Sequence, residues 1–146
     1  MDIDYSEVVE KFFEQNDWKF EVDELPSGNK MFTLPFGAKN VPAINLKIII
    51  SQKNTCKILA YLANEIPDSK RAAMLEVLNK LNRKFRYIKL VLDSDNDVMA
   101  SYDFSFYGDE ETAVTALDEI IYLVKSSADE SIPKIMQLIW ADDEDE

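Results

Sequence analysis

Three aspartates at alternate positions, Asp93-x-Asp95-x-Asp97, with Asp103 shortly after them, are the side chains whose types and spacing come nearest to chemistry. Oxygen-rich loops hold hard divalent cations, and a calcium loop begins in this way. Such a loop also wants a glycine at its sixth position and a bidentate glutamate at its twelfth; here those places hold Val98 and Phe104. A hairpin turn accounts for the same residues, because Asp and Asn tolerate turn backbone and bond their own amides. The remaining inventory is poor in reactive groups. There is no histidine, hence no imidazole base, no Ser-His or Cys-His pair and no histidine metal site. The single Cys56 excludes an internal disulfide and sits in an apolar run, where a buried thiol is expected. Gly28, Gly37 and Gly108 are isolated, so no glycine-rich loop cradles a phosphate. The expectation is a non-enzyme with no catalytic, cofactor-binding or metal-binding residues. The alternative is a small carboxylate-dependent metal-binding protein or enzyme using Asp93, Asp95, Asp97 and Asp103.

Charge is unevenly distributed along the 146 residues, although the net is −12. Residues 1–24 carry nine acids and two lysines; residues 25–90 carry twelve lysines or arginines and three acids; residues 91–146 carry sixteen acids and two lysines. Acidic helices beside a basic sheet and helix would assemble readily, and a basic surface could also meet an acidic partner. Duplex nucleic acid is not expected as a partner, because the acidic flanks would repel phosphates. No apolar run approaches the ~20 residues that span a bilayer, and the acidic start MDIDYSEVVEKFFEQ lacks the basic region of a secretory signal. A cytoplasmic protein without a membrane partner is the reading. The tail after Trp140 is mostly acid; residues 141–146 are expected to be disordered, leaving 1–140 as a single domain. The tail could mask the basic surface.

The elements that would position these residues follow from hydrophobic periodicity. Asp4-Tyr5-Ser6-Glu7 opens a helix in which Asp4 accepts the Glu7 amide, and Tyr5, Val8, Val9, Phe12 and Phe13 form its inner stripe to about Asn16. Strands are expected at 18–23, 30–36, 43–52 and 55–63, with a loop at 37–42. Pro35 removes a ladder donor, so its strand or that strand's end should lie at an edge. Pro67 to Phe85 reads as one helix around which the rest is organised, with Met74, Leu75, Leu78, Leu81, Asn82 and Phe85 on its inner face. Asn82 on that face is expected to cap carbonyls or pin the following strand. Strands at 86–93 and 98–106 follow, then a long helix from Gly108 that Pro133 should break or kink, with a shorter helix behind it. This order, α-β-β-β-β-α-β-β-α-(α), argues an α+β domain with a mostly antiparallel sheet of five to six strands and three main helices.

Alternation gives this sheet a second face. Ile49, Leu59, Tyr61, Tyr87 and Val91 share it with Lys47, Lys57 and Lys89. Several apolar residues on adjacent strands form a patch that marks an interface, unless one of the helices covers it.

From Asn45 through Phe106 the chain resembles the YbjN-like domain, a bacterial group described as sensory transduction regulators. The matching features are the strand pair from Asn45 to Ala63, then Pro67 with Lys70-Arg71, the run Leu78-Asn79-Lys80-Leu81-Asn82, and an Asp-rich turn, in that order. The turn here, Asp93-Ser94-Asp95-Asn96-Asp97-Val98, lacks the glycine expected after its last acid. The resemblance implies a fold similar to type III secretion chaperones, often dimeric, that bind protein segments rather than catalyse. It implies no catalytic or ligand residues. Together these readings point to a chaperone-like or regulatory adaptor that binds a protein segment or a second copy of itself through the sheet face and the Pro67–Phe85 helix.

Overall fold

The computed structural model describes residues 2–38 and 41–141, so the tail from Asp142 onward lies outside the described residues. Helix α1 (Tyr5–Gln15) leads into strands β1 (Glu21–Glu24), β2 (Lys30–Ala38), β3 (Val41–Ile50) and β4 (Thr55–Ala63). A 3-10 turn (Asp68–Lys70) precedes α2 (Arg71–Lys84), β5 (Lys89–Leu92), β6 (Val98–Ser105) and α3 (Glu110–Ile139). The strands form one antiparallel sheet in the order β1-β2-β3-β4-β6-β5. The α+β class and the strand count agree with the sequence.

Each strand buries one alternate set of side chains. Phe32, Leu46, Ile48, Ile58, Ala60, Val98 and Ala100 are fully enclosed, and the apolar stripes of all three helices pack into the same core. Because cross-strand partners point to one side, the registers Ile48↔Ile58 and Ala60↔Ala100 place the whole buried set on a single face. The aromatic stripe of α1 is core, as expected: Phe13 meets Trp18, Phe20 and Phe32, while Tyr5 stacks on Phe106 and donates its hydroxyl to the Gly108 carbonyl at 2.8 Å.

The helix starts follow their caps. Asp4 Oδ1 accepts the amides of Ser6 (3.1 Å) and Glu7 (3.3 Å), and Asp109 Oδ1 accepts that of Thr112 (2.8 Å). The Asp93–Asp97 turn closes without glycine because Asn96 takes the positive φ of 65°. Pro35 lies on β2 beyond the stretch that β1 pairs, so the strand's end is an edge there, as its missing donor requires.

Several local expectations are corrected. The segment 67–85 is not one α-helix, since its first turn is 3-10 and α2 starts at Arg71. Its inner face is rotated by about 40° from the expected one: Leu75 is 48% exposed, whereas Val77 packs partly against the core. The organising helix is α3, which touches β2, β4, β6, α1 and α2, while α2 rests on edge strand β5. Pro133 does not interrupt α3; it is exposed, and Ile132 and Ile135 beside it are buried, so packing carries the helix through the missing bond. β1 begins only at Glu21, because Trp18 turns into the aromatic cluster. The expected loop at 37–42 is strand at both ends, with β2 running to Ala38 and β3 starting at Val41; the register slips between Phe36 and Ala38, at Gly37.

Candidate interaction surface

Two of the four candidate carboxylates for a metal loop, Asp93 and Asp97, are spent on the backbone. Asp93 Oδ1 accepts the amides of Asp95 and Asp97, both at 2.9 Å, and Asp97 Oδ1 accepts that of Glu65 at 2.9 Å. Asn96 bonds Asp68 and Arg71, and Arg71 also donates to the Asp93 carbonyl at 2.8 Å. Asp103 lies elsewhere, on the sheet, ion-paired with Lys57 at 3.3 Å. The four aspartates therefore do not converge, and the described residues contain no group of His, Cys, Asp and Glu able to hold a metal ion. Burial pushes the Cys56 thiol far above its ordinary value, with the Asp103 charge adding to the rise, so it stays protonated and inert.

The sheet face opposite the helices is different. Cross-strand pairing joins Thr33, Lys47, Leu59, Ser101 and Lys89 in one row, and Met31, Ile49, Lys57 and Asp103 in the next. Tyr61, Met99 and Val91 form a third. The apolar members are half-buried and none belongs to the core, so among the described residues no helix covers them. The Lys47 ammonium sits 5.7 Å from the Tyr61 ring centre, a cation–π distance. Seven of the eight residues expected on this face are on it. Tyr87 is not: it precedes β5, and its ring lies 6.0 Å from that of Tyr102, whose partner Ile58 points to the helix side.

β1 completes the layout. Glu21 and Asp23 pair with Thr33 and Met31 and so point to this same face. One edge of the surface is acidic, its centre holds Ile49, Leu59, Tyr61 and Met99, and its other edge carries Lys89.

A family model described as YbjN, "Putative bacterial sensory transduction regulator", matches residues 5–136. The chain belongs to the YbjN family. It is also similar to the crystal structure of YbjN, "a putative transcription regulator from E. coli", with 16% identity, a TM-score of 0.60, and coverage of 86% of this chain and 90% of that one. At that identity the likeness is one of fold. No curated protein matches the chain.

The residues that carried the YbjN resemblance prove to be fasteners. Lys70, only 5% exposed, donates to the Leu138 and Ala141 carbonyls at 2.9 and 2.6 Å and so caps the C-terminus of α3. Arg71 holds the Asp93–Asn96 turn. Asn82 pins β5, as expected of it. Sequence reasoning missed Met31, Met99, Glu21 and Asp23 on the open face. Their alternation was legible; their neighbours were not, because β6 lies between β4 and β5 and β1 pairs only with β2.

Proposed function

We propose that this YbjN-family chain is a non-catalytic regulatory adaptor whose open sheet face binds a second copy of the chain. The observation that carries the reading is the layout of that face, with Ile49, Leu59, Tyr61 and Met99 interleaved with Lys47 and Lys57 at its centre, between an acidic edge (Glu21, Asp23) and a basic one (Lys89). A two-fold axis parallel to the strands sets β1 of one copy over β5 of the other and β3 over β4, so opposite charges meet at both rims and the apolar side chains and lysine stems of the central strands meet in the middle. Six strands spaced ~4.8 Å apart and about five residues long give a face of roughly 25 by 17 Å. That is roughly 400 Å² on each copy, about half of what each partner of a standard specific interface buries and within the range of weak, transient contacts, which suits a reversible dimer.

The test is sedimentation velocity on the full chain and on Leu59→Glu with Met99→Glu. Both residues are partly exposed, so the circular dichroism spectrum and melting curve should survive the change. The unaltered chain should sediment as a concentration-dependent dimer and the variant as a monomer. A monomeric unaltered chain at high concentration, or an unchanged profile for a folded variant, would overturn the proposal.

A further inference from the structure

A second surface lies on the helix side, between α2 and the last turns of α3, where a groove of about 460 Å³ opens. α2 contributes positions 77, 80, 81 and 84 to it, α3 contributes 134, 137 and 138, and Ala141 follows just past the end of α3. The α2 row follows i, i+3, i+4, i+7 spacing and the α3 row i, i+3, i+4, so each wall is a helical ridge. The floor is aliphatic, from Val77, Leu81 and Leu138, and the rims carry Lys80 and Lys84 on one wall and Lys134 on the other. The groove is held at both ends: Lys84 pairs with Glu130 across the two helices, and Lys70 anchors the carbonyls of Leu138 and Ala141.

From this geometry we infer that the groove is a docking site for an amphipathic helix of a partner protein, one with aliphatic residues on its inner stripe flanked by acids. Two parallel ridges with a greasy floor are the host geometry for a third helix. Lysines on both walls would meet acidic residues on both flanks of the guest. A basic guest would be repelled at the rims, and a guest lacking acids would forgo the attraction of Lys80 and Lys134, Lys84 being already paired with Glu130. The α2 wall runs about two helical turns, a length that suits a helical guest. Lys80 and Lys84 thus carry part of the positive charge of residues 25–90 to the helix side, while Lys47, Lys57 and Lys89 carry another part on the open sheet face. The groove also separates partner capture from self-association, because the two surfaces lie on opposite sides of the sheet.

The experiment uses fluorescence anisotropy with a labelled synthetic helix bearing leucines at i, i+3, i+4, i+7 and glutamates beside them, against a matched peptide with lysines in place of the glutamates. The glutamate peptide should bind in a salt-dependent manner and the lysine peptide should not. Lys80→Glu with Lys134→Glu, both exposed and far from the open sheet face, should weaken binding by about tenfold or more while leaving the sedimentation profile unaltered. Removing residues 142–146, whose five acids begin next to groove residue Ala141, should tighten binding at low salt. Equal binding of the two peptides, or an unchanged affinity in the folded Lys80/Lys134 variant, would overturn the inference. So would an affinity indifferent to the acidic tail at low salt, since a peptide in this groove must feel those charges.

Discussion

The side-chain amide of Asn82 takes the place of a strand beside Leu90: its Oδ1 accepts the Leu90 amide at 2.7 Å and its Nδ2 donates to the Leu90 carbonyl at 3.0 Å. β5 is the outer strand of the sheet, and its free edge would otherwise offer an unpaired donor and acceptor to another chain. One amide from α2 therefore both fastens the helix to the sheet and blunts the edge. Replacing Asn82 with Leu keeps the volume and orphans both Leu90 groups, which should cost about 1–3 kcal/mol in urea unfolding. Asn82→Asp keeps the acceptor but sets a carboxylate against the Leu90 carbonyl, and it should also destabilise the fold. A stability within error of the unaltered chain for both variants would show the bridge to be idle.

Lys70 is a buried cation at the negative end of α3, and its ammonium binds the Leu138 carbonyl, which also accepts the Ala141 amide, and the Ala141 carbonyl just beyond the helix. Lys70→Met preserves the length of the side chain and removes the charge and donors. It should lower stability by about 1–3 kcal/mol and speed hydrogen exchange over the last turn of α3 more than over its first. Uniform exchange along α3 in the variant would refute the capping role.

What the sequence reveals follows the range of the forces involved. Alternation in Ile44–Ile50 and Cys56–Leu62 is local, and the structure buries those sets as expected. The inner face of α2 was harder to place: Leu75 and Val77 lie to either side of the Leu78 meridian, and only the anchoring of Asn82 on β5 and the packing of α2 against α3 choose Val77. Pro133 misleads because its rule is local while the burial of Ile132 and Ile135 is not. On the candidate face, β3 and β4 were legible as a hairpin, but the Lys57–Asp103 pair depends on β6 lying beside β4, a choice of topology. The α2–α3 groove joins residues some fifty positions apart and leaves no local trace.

Two helix caps should set part of the acid sensitivity. The Ser6 hydroxyl and the amides of Ser6 and Glu7 hold the Asp4 carboxyl below its ordinary value, against a smaller opposing effect of burial. The Thr112 hydroxyl and amide do the same for Asp109. A carboxyl depressed in the folded state contributes stability that is full above its unfolded pKa, and this is lost as pH falls through the folded one. The contribution should therefore fade below about pH 4. Asn keeps the cap but does not titrate. Urea midpoints followed downward from neutral pH should fall less steeply for Asp4→Asn with Asp109→Asn than for the unaltered chain. Parallel curves would assign the acid sensitivity to other carboxylates.

The proposed self-association makes a charge-swap prediction that area alone does not. If β1 of one copy lies over β5 of the other, Glu21→Lys with Asp23→Lys sets lysines against the Lys89 edge at both rims of the dimer. Sedimentation should show weaker association, and higher salt should reduce the penalty because the rims are exposed to solvent. Adding Lys89→Glu to that variant reverses the second edge as well, and it should recover much of the lost affinity. With the axis turned perpendicular to the strands, β1 would face β1, and the lysine swap would relieve no contact that Lys89→Glu could restore. Recovery in the triple variant thus selects the parallel axis, whereas a triple variant as weak as the double one excludes it even if a dimer forms.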